Sequence, residues 1–297
     1  MIRRPRHLWG GYELQSPVVR RQIEWADHHR EVLQSTFKAF RDREPPPYFI
    51  TENRREFEGT LYRVLTARAE PAPDEIGHIL ADYLNALRAA LDYLVGAMRP
   101  DGPSRNSGFP IFLKRPPGKK GRFRNRACIY LRDVPDDAVK LIHWMQPYHR
   151  TDGGMRHAFK ALGAIETLWN VAKHRTLLVV TSATRPDYVW RERSGEQAKD
   201  IGFRFPGPDH SSDIWLPITE PEEEFHPHFA VHISLAQPRG FPADWPTWVE
   251  DWDLDGLVES FYRVVRWEVV PMFNQFVQQG GEPAHHPSPD SEAPALE

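Results

Sequence analysis

Apolar side chains recur at helical spacing in several long segments of the chain. Residues 17–41 place apolar side chains three or four positions apart, and residues 74–98, 154–174 and 254–278 repeat this pattern. A shorter amphipathic stretch covers residues 133–148 and stops at Pro147. The pattern predicts a bundle of helices, with Pro271 kinking or interrupting the last one because proline cannot donate a backbone hydrogen bond.

Two regions carry short runs typical of β-strands instead. Residues 48–69 contain two runs rich in β-branched and aromatic residues around a charged stretch at 52–56, which predicts a hairpin with its turn there. From residue 175 to about 240, short runs such as FAVHISL alternate with turn-forming residues. The predicted fold class is therefore α+β and mainly α: a helical bundle with an N-terminal β-hairpin and a small appended antiparallel sheet.

The same patterns divide the chain into four predicted regions. Residues 1–180 form a helical core with the hairpin and a basic connecting loop, and residues 181–253 form a small β-rich module. Residues 254–279 form a C-terminal helix that packs on the core. Residues 280–297 are predicted to be a disordered tail, because they contain too few apolar side chains to order themselves.

Charge and cysteine content narrow the class of protein. The 297-residue chain has a net charge of -3, so attraction to nucleic acid must come from local clustering of basic residues. The single cysteine, Cys128, rules out an internal disulfide and a thiolate-rich metal site, and we expect a cytoplasmic protein. The basic N-terminal residues are not followed by an apolar run, so we expect neither secretion nor membrane insertion.

Polar residues interrupt the apolar faces of two predicted helices. They are Asn85, Arg88 and Asp92 in the helix at 74–98, and Asn170, Lys173 and His174 in the helix at 154–174. Each set shares one side of its helix, and charged groups are costly to bury without partners. The sets therefore indicate a functional site. The structural alternatives are an internal ion pair between Arg88 and Asp92, and capping of the second helix by its basic C-terminal run.

Four short motifs within residues 17–180 carry a resemblance. LNALRAALDYLV, FPIF, MQPY and LWNVAKHR, in this order, resemble an uncharacterised bacterial protein family with the motifs LRxALDxL, FPI, QPY and NxxKHR. The first helix of that family is similar in turn to HEPN domains, helical bundles with a metal-independent ribonuclease site that commonly forms across a dimer. The resemblance implies an RNA-directed protein in a defence or toxin setting, a homodimer, and no cofactor or metal.

The resemblance to HEPN domains implies roles for particular residues. Arg88 matches the HEPN arginine and would bind phosphate, but Tyr93 stands at the histidine position and is a poor general base at neutral pH. His174 is then the candidate for proton transfer, provided that the two polar helix faces meet. The supporting residues would be Asn85, Asp92, Tyr93, Asn170 and Lys173. The alternative is a non-catalytic interaction or structural protein whose polar clusters form a buried ion-pair network.

Residues 102–132, the basic segment, contain nine basic residues and no acidic one. Such a segment should be extended and solvated. Phe109, Phe112, Phe123 and Tyr130 interleave with its charges, as expected where bases stack and phosphates are neutralised. The candidate nucleic-acid-binding residues are Lys114, Arg115, Lys119, Lys120, Arg122, Arg124 and Arg126. The alternative is a solvated loop that faces acidic segments such as 220–224.

Three histidines lie close together in FHPHFAVHI. If this segment is one strand, His226, His228 and His232 project to the same side and could bind a transition metal. Pro227 and the lack of a carboxylate at a recognisable spacing argue against such a site. We therefore assign no metal ligand.

Overall fold

The computed structural model describes residues 16–57, 59–115, 123, 127–149, 156–174, 179–183, 189–193, 196–200, 212–217, 224–227, 231–235 and 253–277. Helices dominate this part of the chain, and its strands pair antiparallel in small sheets. The protein is thus α+β and mainly α, as predicted. The predicted tail at 280–297 lies outside the described residues. No helix in the described ranges has the length and apolar character needed to cross a membrane.

The helices predicted from apolar spacing are present. They are α1 (Pro17–Arg41), α2 (Asp74–Ala97), α3 (Asp136–Trp144), α4 (Arg156–His174) and α5 (Leu254–Arg263). At the start of α1, the Ser16 hydroxyl accepts a hydrogen bond from the Val19 N–H at 3.4 Å, and Pro17 takes the first helical position. A 3-10 turn (Pro147–His149) follows α3 after a short break.

The C-terminal helical stretch changes its hydrogen-bond pattern just before Pro271. After α5 comes a π-helical segment, Val264–Val269, in which the Val270 N–H bonds to the carbonyl of Val265, five residues earlier. A short helix, α6 (Val270–Phe273), and a 3-10 turn (Asn274–Phe276) complete the stretch. Because Pro271 has no N–H to donate, this change agrees with the predicted interruption.

The hairpin is present, but its turn lies elsewhere than predicted. Strands β1 (Tyr48–Phe57) and β2 (Thr60–Ala69) pair antiparallel from Tyr48 opposite Ala69 to Phe57 opposite Thr60. The charged residues at 52–56 belong to β1, where their side chains are exposed, and Glu52 pairs with Arg63 at 2.9 Å. The turn forms at Gly59, whose φ of 73° suits glycine.

The described residues between 179 and 235 form six strands. They are β3 (Val179–Ala183), β4 (Val189–Arg193), β5 (Glu196–Asp200), β6 (Ser212–Pro217), β7 (Glu224–Pro227) and β8 (Val231–Leu235). β3 pairs with β8, and β4 lies between β5 and β7. β6 pairs with β2 and so extends the N-terminal hairpin to three strands. The sequence pattern predicted the strands but not this long-range pairing.

The described residues fall into two compact units. The first contains the described residues within 16–27, 84–169 and 261–277, and the second contains those within 28–83 and 170–260. In the first unit, Phe109 and Phe273 are fully buried with their rings edge to face at 6.0 Å. In the second, the buried Tyr83 donates its hydroxyl hydrogen bond to the carbonyl of Val258 at 2.6 Å. The predicted four-region division stays a prediction.

Candidate functional site

Arg88 lies on the apolar face of α2 and is only 8% exposed. Position 88 shares its side of the helix with Leu84, Leu91 and Val95, so the helix turns the guanidinium inward. A buried guanidinium needs partners, because its charge is costly to remove from water. Which groups serve as those partners decides what Arg88 can do.

Each nitrogen of the Arg88 guanidinium donates a hydrogen bond. Nε donates to Glu166 Oε2 on α4 at 3.1 Å, and Nη1 donates to Asp92 Oδ1 at 2.5 Å. Nη2 donates to the backbone carbonyl of Phe109 at 2.8 Å. The guanidinium carbon also lies 5.0 Å from the centre of the Trp169 ring, within cation–π range. One side chain thereby joins two helices to the connecting segment between α2 and α3.

The Phe109 backbone is held on both of its polar groups. Its N–H donates to Asp92 Oδ1 at 2.8 Å, while its carbonyl accepts from Arg88. A Cβ added at the preceding Gly108 would lie 3.2 Å from the same Asp92 oxygen. Glycine at 108 therefore permits the close approach of this segment to α2.

Gln146 holds the next part of the same segment. It is fully buried, and its Oε1 accepts from the Phe112 N–H at 2.8 Å. Its Nε2 donates to the carbonyls of Pro110 at 2.9 Å and Ile142 at 2.8 Å. Side chains of LRAALD and of MQPY thus both bond the backbone of FPIF, and the three motifs form one hydrogen-bond network.

A second buried arginine, Arg99, organises the chain just beyond α2. Its guanidinium donates to the hydroxyls of Ser104 and Ser107, the latter at 2.7 Å, and to Asp133 Oδ2 at 3.3 Å. Asp133 has a φ of 63°, which is uncommon for a residue other than glycine. Arg99 was not predicted as a site residue, and Gln146 was predicted only as part of the motif MQPY. The one signal for Arg99 was its position directly after the apolar stripe of α2.

The structure places the sequence-predicted site residues in different surroundings. Arg88 and Asp92 are in contact, as their spacing predicted, whereas Asn85 is exposed and accepts from Trp169 Nε1 at 3.3 Å. Tyr93 is 42% exposed. Among the residues predicted on α4, Asn170 and Lys173 are exposed, and the side chain of His174 lies outside the described part of the structure. The proposed meeting of Arg88 with His174 stays a prediction.

The basic segment is partly packed, which corrects the expectation of a solvated loop throughout. Phe109, Pro110, Ile111 and Phe123 are buried, and Arg88, Asp92 and Gln146 bond the backbone of Phe109 and Pro110. Phe109 and Phe123 are therefore not available for base stacking, while Tyr130 is 38% exposed. Within the described part of the basic segment, the exposed cations are Arg105, Lys114, Arg115 and Arg132. The other candidates, Lys119, Lys120, Arg122, Arg124 and Arg126, lie outside the described residues.

The three histidines of FHPHFAVHI do not share one strand. His226 lies on β7, which pairs with β4, and His232 lies on β8, which pairs with β3. The single-strand assumption was therefore wrong, since the segment divides between two sheets. His228 and the side chains of His226 and His232 lie outside what the structure describes. Among the residues described, no group of three or more histidine, cysteine or acidic side chains could hold a metal.

Comparison of the chain with protein-family models, curated proteins and solved structures gave no match. Fold and site define a class in structural terms: a mainly-α α+β protein in which a buried arginine bonds two carboxylates and a loop carbonyl. The cluster around Arg88 and the exposed cations of the basic segment are its two candidate functional features.

Proposed function

We propose that the protein is a cytoplasmic bacterial RNA-binding protein in which the Arg88 cluster is structural and the basic segment contacts the phosphate backbone. The RNA-binding role rests on the exposed cations of the basic segment, and the structural role of the Arg88 cluster rests on the complete engagement of Arg88. All three of its nitrogens donate to protein acceptors, and two of those acceptors are carboxylates. The defence or toxin setting and the homodimer rest on the resemblance alone and stay predictions.

The charge around Arg88 argues against a phosphate ligand there. One guanidinium faces Asp92 and Glu166, so the cluster carries more negative than positive charge when both carboxylates are ionised. An incoming phosphate would meet net repulsion and would have to displace a partially buried ion pair. This geometry supports the alternative drawn from the sequence, a buried ion-pair network, over catalysis by Arg88.

The basic segment offers a better surface for RNA. Arg105, Lys114, Arg115 and Arg132 are exposed, and Tyr130 adds a partly exposed ring. The backbone between Arg105 and Lys114 is anchored at Phe109 by the partly buried Asp92 and at Phe112 by the buried Gln146. Anchoring reduces the conformational freedom that these cations would lose on binding, which favours affinity.

Binding measured against salt tests the proposal. We expect a fluorescently labelled single-stranded RNA to bind with an affinity that falls steeply as salt rises, with a log–log slope of about -0.7 per phosphate contacted. Lys114→Gln combined with Arg115→Gln should weaken binding and flatten that slope. The matched control is Arg54→Gln with Arg68→Gln, which removes two exposed charges from the hairpin. Absence of RNA binding, or an RNA affinity that does not change with salt concentration, would contradict the proposal.

Incubation of the protein with mixed RNA in EDTA separates binding from catalysis. The proposal expects the RNA to remain intact. RNA cleavage that disappears in Arg88→Lys, while the variant still folds and binds RNA, would instead support the ribonuclease hypothesis with Arg88 as a catalytic residue, and the same loss in His174→Asn would add His174.

A further inference from the structure

Two imidazoles and a guanidinium cluster where α3 ends, next to the basic segment. His143 lies in the last turn of α3 and His149 in the 3-10 turn that follows, with their ring centres 5.3 Å apart. Both rings are partly exposed. Arg115 of the basic segment is exposed and close enough to act on the charge of His143. None of these three residues takes part in the network around Arg88.

Aromatic rings hold the two imidazoles in place. Phe123 lies against His143 with ring centres 4.6 Å apart, and Tyr148 lies against His149 at 4.5 Å. Phe123 in turn packs edge to face on Phe112, whose backbone Gln146 anchors. The two imidazoles thus pack on aromatic rings, one of which contacts an anchored part of the chain, and such packing favours preorganisation of their polar atoms for a ligand.

The charges around His143 are of one sign. Its pKa is lowered from the ordinary value, first by burial, then by His149 and then by Arg115. Among the described residues, Tyr148 is a further titratable neighbour, and burial raises its pKa, so that it stays a neutral hydrogen-bond donor. Groups that repel one another in this way are stabilised by an anion placed among them.

The Tyr148 hydroxyl is a second, independent observation that points to a ligand at this cluster. Its oxygen is buried and has no hydrogen-bond partner among the residues that the structure describes. A buried donor without an acceptor costs free energy, and such groups in native proteins commonly mark a bound water or ligand. An anion oxygen, reached directly or through one water, would satisfy it.

We propose that Arg115, His143 and His149 form a binding site for one phosphate group of the RNA backbone, and that binding takes up a proton on the histidine pair. The site deepens the RNA-binding function proposed above and rests on it. Arg115 supplies a fork of N–H donors, and a protonated imidazole supplies N–H donors on both nitrogens. Proton uptake follows because the bound anion favours the charged form of the imidazoles.

The sign of the pH dependence follows from the two states of His143. In the free protein its pKa lies below about 6.5, the ordinary value for histidine, and a bound phosphate raises it. RNA affinity must therefore increase as pH falls from about 8 towards 6, by up to about tenfold per pH unit for each proton taken up. A phosphodiester keeps its single negative charge throughout this range, so the change must come from the protein.

The test measures RNA affinity against pH at constant ionic strength, by fluorescence anisotropy with a short single-stranded RNA. Wild type should bind more tightly as pH falls, and His149→Asn and Arg115→Gln should lose most of this dependence. His143→Asn should do the same, but its ring packs on Phe123, so the other two variants keep the test decisive if it does not fold. The matched control is His78→Asn, which removes an exposed histidine on α2 and should behave as wild type.

The imidazole proton signals of His143 and His149, followed by NMR, identify the ligand. RNA should raise the His143 pKa, and inorganic phosphate serves as the probe for a free phosphate ligand. RNA binding that depends on salt but not on pH would overturn this site while leaving the proposed function intact. If RNA does not bind at all, the proposed function fails. In that case, a His143 pKa raised by inorganic phosphate would retain the phosphate site, and an unchanged pKa would reject it.

Discussion

Arg88 and Phe109 are joined twice. Arg88 Nη2 donates directly to the Phe109 carbonyl at 2.8 Å, and Asp92 Oδ1 accepts from both Arg88 Nη1 and the Phe109 N–H. The loop residue therefore has both backbone polar groups satisfied by a pair of side chains one helical turn apart. This relationship explains why a buried guanidinium is tolerated on the apolar face of α2.

Removal of the Arg88 side chain should destabilise the fold strongly. Arg88→Ala removes the guanidinium that donates to the Glu166 and Asp92 carboxylates and to the Phe109 carbonyl, so both carboxylates lose the positive charge beside them, and we expect a loss of about 3–5 kcal/mol in the free energy of unfolding. Arg88→Lys should lower the free energy of unfolding by less, because the ammonium keeps the positive charge. Some loss remains, because an ammonium cannot span all three acceptors. Urea unfolding followed by circular dichroism measures both. Arg21→Ala, an exposed arginine on α1, should change stability by less than about 0.5 kcal/mol. A wild-type urea midpoint for Arg88→Ala would show that the network contributes nothing.

The two anchors of the connecting segment should be separable by amide hydrogen exchange. Asp92→Ala removes the acceptor of the Phe109 N–H, and Gln146→Ala removes the acceptor of the Phe112 N–H. Each substitution should accelerate exchange chiefly at its own amide, because local opening exposes only the released backbone group. Each variant is the control for the other. Equal acceleration of both amides in both variants would mean that the segment opens as one unit.

Two helical glycines should respond in opposite directions to alanine. At Gly96 a Cβ would lie 2.9 Å from Pro103 Cβ and 3.3 Å from its Cα, so we expect Gly96→Ala to cost roughly 1–3 kcal/mol despite the better helix propensity. At Gly256 on α5 an added Cβ meets no atom within 4 Å, and Gly256→Ala should stabilise by roughly 0.5–1 kcal/mol. Thermal unfolding of both variants checks the prediction. Melting temperatures that shift in the same direction would contradict the close packing at Gly96.

Stability should fall as pH decreases from about 7 to 5.5. Burial lowers the pKa of His143, and His149 and Arg115 add to the effect, while burial and His28 outweigh Asp82 in lowering that of His29. A lowered pKa in the folded state means that protonation favours the unfolded chain. The stabilising effect of the neutral imidazoles is therefore full above the unfolded-state pKa of about 6.5 and is lost as pH falls through the folded-state value.

The variant His143→Asn tests the contribution of one imidazole to this pH dependence. It should flatten the urea midpoint plotted against pH, while His78→Asn should not. A His143→Asn profile parallel to wild type would remove His143 as a source of the effect. Tyr148 does not titrate in this range, because burial raises its pKa further above neutral.

The candidate site was partly accessible from sequence. The contact of Arg88 with Asp92 could be predicted because residues four apart on a helix are neighbours. Glu166 lies 78 residues from Arg88, and no local pattern pairs the two. The hydrogen bonds of Gln146 could not be predicted either, because its partners are backbone groups, which every residue type carries.

Helical periodicity was enough to locate α1, α2 and α4, because it depends on residues that are near one another along the chain. The hairpin turn was predicted at the wrong place, because a run of exposed charged residues is typical of a turn but here lies on the edge strand β1. The pairing of β6 with β2, the burial of Phe109 and the bonds of Arg88 to Glu166 and the loop become visible only in the folded protein. These relationships depend on which distant surfaces pack together, and the cost of burying backbone and charged groups then selects their partners.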